Sequence, residues 1–493
     1  MPLMKIDPSP RCSAAARSQA LDRWAGSTFL ARPPAATKAK CKNFAVASCD
    51  RRQQNRTKSV SVASHRDVAL PSQFVEAYNE RNFDPVTHQR TDIAFDPLDG
   101  KLATSLDKSN DTPTSTSNIS QDWLETQLKR WRADPNDYDE PWSRQTVQNS
   151  EKRVLWTNWT ESIVRDPAQS PILFQYDDIN EDTDNIETEL LTRLYQYGLV
   201  LISGTPSSTD TLPFSAMSES SKSLHLSCKS DETAEAAILK LASLVGYHPL
   251  QTLYGSGVWS TSSESSFYDD ETGASGSTST ADSAYGSTSL PLHTDMTYMT
   301  TPPGVQVFLM VQPASTPEAE ATPKGQSTYL DGFAAAHQLF LENPEAFELL
   351  ACTERIYRCL DDQEGWHMEA AGPVIETKSG GVNRWGPVSA IRHNDLDRLP
   401  DLPPYCSSLD VIDGSFYHKL TNAHEAWNEI LSRDSMRLVI DLQPGDCVLV
   451  ANQRCLHGRY AFESSAYPRV VMGCYVGTDE LHSKMRRHRL PVL

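Results

Sequence analysis

From about residue 166 onward, apolar runs alternate with polar, turn-forming stretches, and the spacing of those runs separates helices from strands. Ile186, Leu190, Leu191, Leu194 and Tyr197 recur at three- and four-residue intervals, which predicts a helix over 186–197 with one buried face. Gly198 ends it. Leu199-Val200-Leu201-Ile202 is apolar at every position and reads as a strand buried on both faces. Residues 233–245 repeat the helical spacing and stop at Gly246. Beyond them, 305–311, 327–330, 438–442, 447–450 and 470–476 read as strands, with a helix over 334–350. Unevenly spaced strands with a few helices predict a mainly β fold with helical decoration, a barrel or jelly roll.

The chain before residue 166 reads differently. Residues 67–165 combine short apolar bursts, a polar stretch at 104–120 and a Trp-rich helical piece at 121–131, in which Trp123, Leu124, Leu128 and Trp131 keep helical spacing. A small N-terminal accessory domain is expected there. Residues 1–66 carry 13 Lys/Arg against 3 Asp/Glu, leaving 32 against 61 in the remainder. With a short amphipathic stretch at 18–30, this composition predicts a disordered basic leader of the mitochondrial transit type; a leader without a targeting role, in a cytoplasmic protein, is the alternative. Residues 259–281 are rich in Ser, Thr, Gly and acids, and are expected to form a disordered insertion within a main domain over 166–493.

Composition narrows the partners. The 493 residues carry a net charge of −19, which excludes a general nucleic-acid or anionic-membrane partner. No run approaches a membrane-spanning length of apolar residues. The ten cysteines contain no Cys-x-x-Cys, so neither a zinc ribbon nor a dithiol redox site is indicated. A small-molecule substrate is the expected partner, and a homodimer is left open.

The chemistry concentrates in Leu290-Pro291-Leu292-His293-Thr294-Asp295-Met296-Thr297-Tyr298. If this stretch is a strand, His293 and Asp295 point to one face. A third ligand from Asn452-Gln453-Arg454-Cys455-Leu456-His457-Gly458-Arg459 would complete the 2-His-1-carboxylate set of non-haem Fe(II) oxygenases. The competing reading of a bare His-x-Asp is a surface loop.

The surrounding motifs follow in a fixed order. They are Pro302-Pro303-Gly304-Val305-Gln306-Val307-Phe308, Ser327-Thr328-Tyr329-Leu330-Asp331-Gly332-Phe333, Asn343-Pro344-Glu345, Leu442-Gln443-Pro444-Gly445-Asp446, Leu456-His457-Gly458-Arg459, and Arg469 ahead of Gly473-Cys474-Tyr475. This order resembles the γ-butyrobetaine dioxygenase and trimethyllysine dioxygenase family, strongly over 240–480 and faintly over 80–240. The resemblance implies a double-stranded β-helix, a form of jelly roll, that uses Fe(II), with 2-oxoglutarate as cosubstrate and ascorbate as reductant. It matches His293, Asp295 and His457 to the metal ligands, and Arg469 to the Arg that pairs with 2-oxoglutarate, with Ser327 and Arg459 beside it. A bidentate guanidinium suits that carboxylate. It also matches Tyr254, Trp259, Tyr285 and Tyr475 to an aromatic cage, which suits a trimethylammonium group because such a group cannot donate a hydrogen bond.

Asp282 and Asn394 bear on the branch. The trimethyllysine enzymes carry Asp where this chain has Asp282, and an anion suits a free α-ammonium; the butyrobetaine enzymes carry Asn there. Ile391-Arg392-His393-Asn394-Asp395-Leu396-Asp397-Arg398 also looks closer to the trimethyllysine branch, with Asn394 expected at the amino-acid end. The implied reaction is hydroxylation of N6-trimethyllysine to its 3-hydroxy derivative, a step of carnitine biosynthesis. Asn82-Phe83-Asp84-Pro85-Val86-Thr87-His88-Gln89-Arg90 resembles the end of the family's zinc motif, but no cysteine lies between 49 and 228, so no structural zinc is expected. The rival readings are a hydroxylase of γ-butyrobetaine or another quaternary amine, a non-catalytic 2-oxoglutarate-binding β-helix protein, and a cupin-like isomerase or storage protein.

Overall fold

The computed structural model describes residues 59–62, 66–69, 153–181, 183–208, 232–262, 287–314, 325–361, 365–378, 388–400, 414–462 and 469–492. The chain divides into two compact units, Met1–Lys129 and Arg130–Leu493. In the first, β1 (Ser59–Val62) pairs antiparallel with β2 (Arg66–Ala69). The expected leader end at residue 66 therefore falls inside a strand pair. The helical pieces expected at 18–30 and 121–131 and the stretch 82–90 lie outside the described residues.

The second unit begins with α1 (Glu161–Arg165), β3 (Leu173–Gln175), α2 (Tyr176–Glu181), α3 (Thr183–Tyr197), β4 (Leu199–Ser203) and α4 (Ala234–Val245). Short β5 (Gln251–Thr252) and β6 (Gly255–Ser256) lead to β7 (Trp259–Ser262), β8 (Leu290–His293), β9 (Val305–Gln312) and β10 (Ser327–Asp331). Then come α5 (Gly332–Glu342), α6 (Pro344–Cys352), β11 (Arg355–Asp361), β12 (Trp366–Gly372), β13 (Ile375–Thr377), β14 (Val388–Ile391) and α7 (Gly414–Ser432). The unit closes with β15 (Arg437–Ile440), β16 (Cys447–Ala451), β17 (Cys455–Arg459), β18 (Val470–Val476) and α8 (Thr478–Arg487).

Two mixed-order sheets form its centre. One runs β3-β4-β16-β9-β18-β7, the other β15-β10-β17-β8. Side chains alternate across each strand, and the alternation sorts most of the core into three large clusters. Leu199, Leu201, Met310, Val448, Val450 and Val471 of the first sheet share one buried cluster with Tyr329, Leu438, Ile440 and Cys455 of the second, so the sheets pack face to face. The outer face of the first sheet, with Val200, Ile202, Val307 and Leu449, is covered by Leu190 and Leu194 of α3 and Ile238 and Leu241 of α4. On the far side of the second sheet, Leu330 and Leu456 pack with Phe333, Phe347 and Trp427 of the α5–α7 layer. Each fully buried Leu or Ile contributes about 1.5–3 kcal/mol, which is why every position of the predicted strand at 199–202 is apolar.

The single helix expected over 334–350 is two. Pro344 lacks the N–H that a continuing helix needs, and it starts α6 instead. Asn343 caps that second helix, its Oδ1 accepting from Ala346 N at 3.0 Å.

The accessory segment expected over 67–165 ends too late. Residues 153–165 pack into the second unit: Trp156 N donates to Asp331 Oδ2 at 3.2 Å and its indole N–H to the Tyr197 carbonyl at 2.8 Å. Beneath them Arg454 donates to both oxygens of Asp331, at 3.1 and 2.9 Å, and to the carbonyls of Tyr195, Gln196 and Val154. This buried pair ties three chain segments together, and removing one partner costs about 3–5 kcal/mol. The insertion expected over 259–281 also starts too early. Trp259–Ser262 is β7, in register with Gly473–Val470 of β18, because its backbone completes the edge of the first sheet.

Candidate metal centre

β8 ends at His293, and the chain turns over 295–298 with Met296 in the left-handed region at φ 55°. Asp295 is therefore aimed by a turn and not by strand alternation, contrary to the sequence expectation, although it reaches the same place. Asn452 fastens that turn. Its Oδ1 accepts from Asp295 N at 2.7 Å, and its Nδ2 donates to the carbonyls of Asp295 and Pro303 at 3.0 and 3.2 Å. His457 lies on β17, which pairs with β8. Gly458 permits that pairing, since a Cβ there would meet the Leu290 carbonyl oxygen at 2.6 Å.

His293 Nε2 lies 3.4 Å from Asp295 Oδ1, and His457 Nε2 lies 3.4 Å from Asp295 Oδ2. A carbonyl only accepts, so the 2.7 Å contact of His293 Nδ1 with the Pro291 oxygen fixes the proton on Nδ1. The Nε2 lone pair then faces the carboxylate. Burial disfavours the Asp295 anion, but the facing imidazoles of His457 and His293 outweigh it and hold the carboxyl below the usual range. Burial likewise opposes a charge on His293, and Asp295 reverses that, raising its pKa. The site thus calls for a cation. Its three donor atoms lie within 4.8 Å of one another, and two imidazoles with a carboxylate suit a first-row divalent metal. The residues present fit such an ion.

Gln306 was not singled out by sequence reasoning, though it stands inside the motif at 302–308. Its Nε2 donates to Asp295 Oδ2 at 2.6 Å and to the Tyr475 hydroxyl at 3.3 Å, joining the triad to the aromatic residues. A second His/Asp cluster, His393, Asp395 and His424, lies near the cavity. Its chemistry differs. Arg355 can only donate, so at 3.0 Å it makes His424 Nδ1 an acceptor. His424 Nε2–H then donates to Asp395 Oδ1 at 2.7 Å, and no lone pair remains for a metal. Asn428 and Arg398 also donate to Asp395, so this chain secures the turn at 393–398. That turn is clasped to the triad by Thr294, whose N–H donates to the His393 carbonyl at 2.7 Å and whose Oγ1 accepts from His393 N at 3.0 Å.

The triad opens into a cavity of ≈ 1230 Å³ that also includes Ser327, Arg459, Arg469, Tyr254, Trp259, Tyr475 and Asn394 in its walls. Arg469 and Arg459 are both buried. Burial, then the neighbouring Arg459, pushes the Arg469 guanidinium down to about 9. Phe462 stands within 5.7 Å of Arg469 and 5.0 Å of Arg459, measured from guanidinium carbon to ring centre. Two desolvated guanidiniums with a serine hydroxyl beside them can receive a dianion. The rings of Tyr254, Trp259 and Tyr475 stand 6.0–6.3 Å apart in all three pairings, so three of the four expected aromatic residues come together. Tyr285 and Asp282 lie outside the described residues. Asn394 reaches the cavity wall, but its amide is engaged in its own turn: Nδ2 donates to Asp397 Oδ2 at 3.0 Å and Oδ1 accepts from Leu396 N at 2.9 Å.

Comparison with known proteins follows this geometry. The chain is 32% identical over 212 residues to trimethyllysine dioxygenase, mitochondrial, of Mus musculus, covering 42% of this chain and 45% of that protein. It is 30% identical over 203 residues to gamma-butyrobetaine dioxygenase of Pseudomonas sp., covering 41% of this chain and 47% of that protein. The chain thus spans about half the length of the curated relatives it matches. Among solved structures, asparagine oxygenase in complex with Fe(II), 3-hydroxyasparagine and succinate aligns with TM-score 0.38 and 17% identity, over 57% of this chain and 74% of that one. Residues 163–475 match the family described as taurine catabolism dioxygenase TauD, TfdA family, and the chain belongs to it.

Proposed function

We propose that the chain is an Fe(II)- and 2-oxoglutarate-dependent dioxygenase that hydroxylates a trimethylammonium amino acid, N6-trimethyllysine at its C3 carbon. The observation that carries this reading is the sharing of one cavity by a 2-His-1-carboxylate set, a buried arginine pair and three aromatic rings. The two facing sheets are read as a double-stranded β-helix. Residues 1–66 are read as a mitochondrial leader, and the accessory domain expected over 67–165 is read as the rest of the first unit, to residue 129, without structural zinc. Ascorbate as reductant and a place in carnitine biosynthesis follow from the same reading.

His293, Asp295 and His457 would hold the iron, with Gln306 and Asn452 fixing Asp295 between the two imidazoles. Arg469 anchors the distal carboxylate of 2-oxoglutarate, with Ser327 and Arg459 beside it. When bound, the iron and cosubstrate supply oxidative decarboxylation coupled to hydroxylation of a substrate carbon. Tyr254, Trp259 and Tyr475, with Tyr285, receive the quaternary ammonium on their ring faces. Gln306 touches both Tyr475 and Asp295, so the cage and the metal set share one rigid register, which positions the substrate carbon. Asp282 and Asn394 are proposed at the amino-acid end.

The test is succinate release by the full chain with Fe(II), 2-oxoglutarate and ascorbate, given trimethyllysine, γ-butyrobetaine or no further substrate. Trimethyllysine is expected to give the highest kcat/KM. Preference for γ-butyrobetaine would move the assignment to the other branch. No stimulation by either would favour a non-catalytic 2-oxoglutarate-binding protein.

A further inference from the structure

The wall of the cavity carries a phenol that none of these roles uses. β10 pairs with β17 so that Tyr329 stands directly opposite His457, and Ser327 directly opposite Arg459. Opposed residues in an antiparallel pair share a face, and so do residues two apart on one strand. Tyr329, Ser327, His457 and Arg459 therefore share one face, and all four line the cavity. One two-residue repeat, about 6.8 Å, separates the Tyr329–His457 pair at the metal end from the Ser327–Arg459 pair at the arginine end.

The Tyr329 side chain bridges that interval. Its backbone belongs to the metal end, yet its phenol hydrogen-bonds the Ser327 hydroxyl and stands close enough to Arg469 for the two groups to interact. The ring packs between the two sheets with Leu438, Ile440, Val448 and Val450. A leucine or phenylalanine would satisfy that packing, whereas a buried hydroxyl costs free energy unless its bonds are made. Two hydroxyls carry two protons, and the bond between Tyr329 and Ser327 uses one. The other meets no acceptor among the described residues. Burial pushes the Tyr329 phenol up, so it keeps its proton and can donate to an anion.

We propose that Tyr329 binds the distal carboxylate of the 2-oxo diacid beside Arg469 and so sets the length of diacid that the cavity takes. This rests on the reading of the cavity as a 2-oxoglutarate site. The ring lies along the carbon chain between the metal end and the arginine end. The hydroxyl pair gives its remaining proton to the carboxylate, a charge-assisted bond in a desolvated place. A 2-oxo acid without the second carboxylate leaves both the phenol and Arg469 unanswered. A diacid one carbon longer carries its carboxylate past the phenol, which the packed sheets hold in place.

The test measures binding to the full chain loaded with Mn(II), by calorimetry. The ligands are 2-oxoglutarate, 2-oxobutyrate and 2-oxoadipate. Wild type is expected to bind 2-oxoglutarate more tightly than either of the others. Tyr329→Phe keeps the ring in its apolar cluster and should weaken 2-oxoglutarate about 10- to 100-fold, as loss of a hydrogen bond to a charged group does, with 2-oxobutyrate unchanged. Tyr329→Leu removes the ring as well and should also narrow the gap between 2-oxoglutarate and 2-oxoadipate. Unchanged 2-oxoglutarate affinity in Tyr329→Phe, or one common loss for all three ligands in both variants, would overturn the role of Tyr329 while the cosubstrate reading stands. A wild type that binds 2-oxoglutarate no better than 2-oxobutyrate would overturn both.

Discussion

His457 and His293 stand directly opposite each other across the β17–β8 pair, with ring centres 4.6 Å apart and Asp295 bridging their Nε2 atoms. Opposed residues in an antiparallel pair share a face, so two segments 164 residues apart in the chain deliver both imidazoles to one point. The carboxylate arrives from the turn that follows. Replacing His293, Asp295 or His457 by Ala should lower Fe(II)-dependent succinate release by about 100-fold or more, beyond the 10- to 100-fold typical of an outer-shell partner. These side chains face the cavity and not the core, so the thermal midpoint of the metal-free protein should move by only a few degrees. Metal titration by calorimetry, run with a thermal melt, checks both; full activity in any of the three variants would dismiss the triad.

Gln306 offers a sharper probe, because it touches the ligand and not the metal. Gln306→Met keeps volume and removes the donor to Asp295 Oδ2. Metal affinity is expected to fall about 10- to 100-fold. Gln306→Glu places a second carboxylate against Asp295 and should perturb the site more strongly, and unchanged Mn(II) affinity in both variants would show that Gln306 serves packing alone.

Arg469 sits in the structure at a cost to stability. Its charge is desolvated and stands near that of Arg459, which is what pushes its pKa down to about 9. Two consequences follow. An unreactive 2-oxoglutarate analogue at about 100 times its Kd should raise unfolding free energy by roughly 2.7 kcal/mol. Arg469→Met should leave the ligand-free protein as stable as wild type or more so, and should lose that ligand-induced gain. Denaturant titrations with and without the analogue measure both effects. A variant still stabilised by the analogue would place the anion site elsewhere.

His393 predicts a pH dependence. Burial holds its imidazole neutral, with the pKa pushed down from 6.5 to about 3. Between those values the unfolded chain binds a proton that the folded chain refuses. Stability therefore falls as pH drops from 6.5 towards 3, by about 1.4 kcal/mol per pH unit. His293 acts in the opposite sense, since Asp295 raises its pKa. The informative quantity is the difference between wild type and His393→Phe, in which that contribution cancels. Urea titrations at pH 6.5 and 4.5 should show the shallower pH slope in the variant; equal slopes would mean that His393 is protonated in the fold.

The strands and helices with strong apolar periodicity were legible before any coordinates. The helix ending at Gly198, the strand after it, the helix ending at Gly246 and the two strands leading to His457 all bury one or both faces, and burial imposes the pattern that reveals them. The ribbon β11–β12 escaped notice because it belongs to neither large sheet. Ile356, Leu360 and Trp366 remain exposed there, so no simple inside–outside alternation marks it. Helix α7 escaped because polar residues interrupt its apolar stripe, and His424 on that stripe works through Asp395.

The ordered motifs determined by themselves which residues to bring together: His293, Asp295, His457, Arg459, Arg469 and the aromatic set are chemical types at fixed places along a chain. Only the tertiary structure decided how they meet. Asp295 is aimed by a turn that Asn452 holds, and Gln306 couples that carboxylate to Tyr475. The reason is physical. Periodicity records what each residue does with water, one position at a time, whereas a hydrogen bond between distant segments depends on register and turn geometry, which the whole packed core sets.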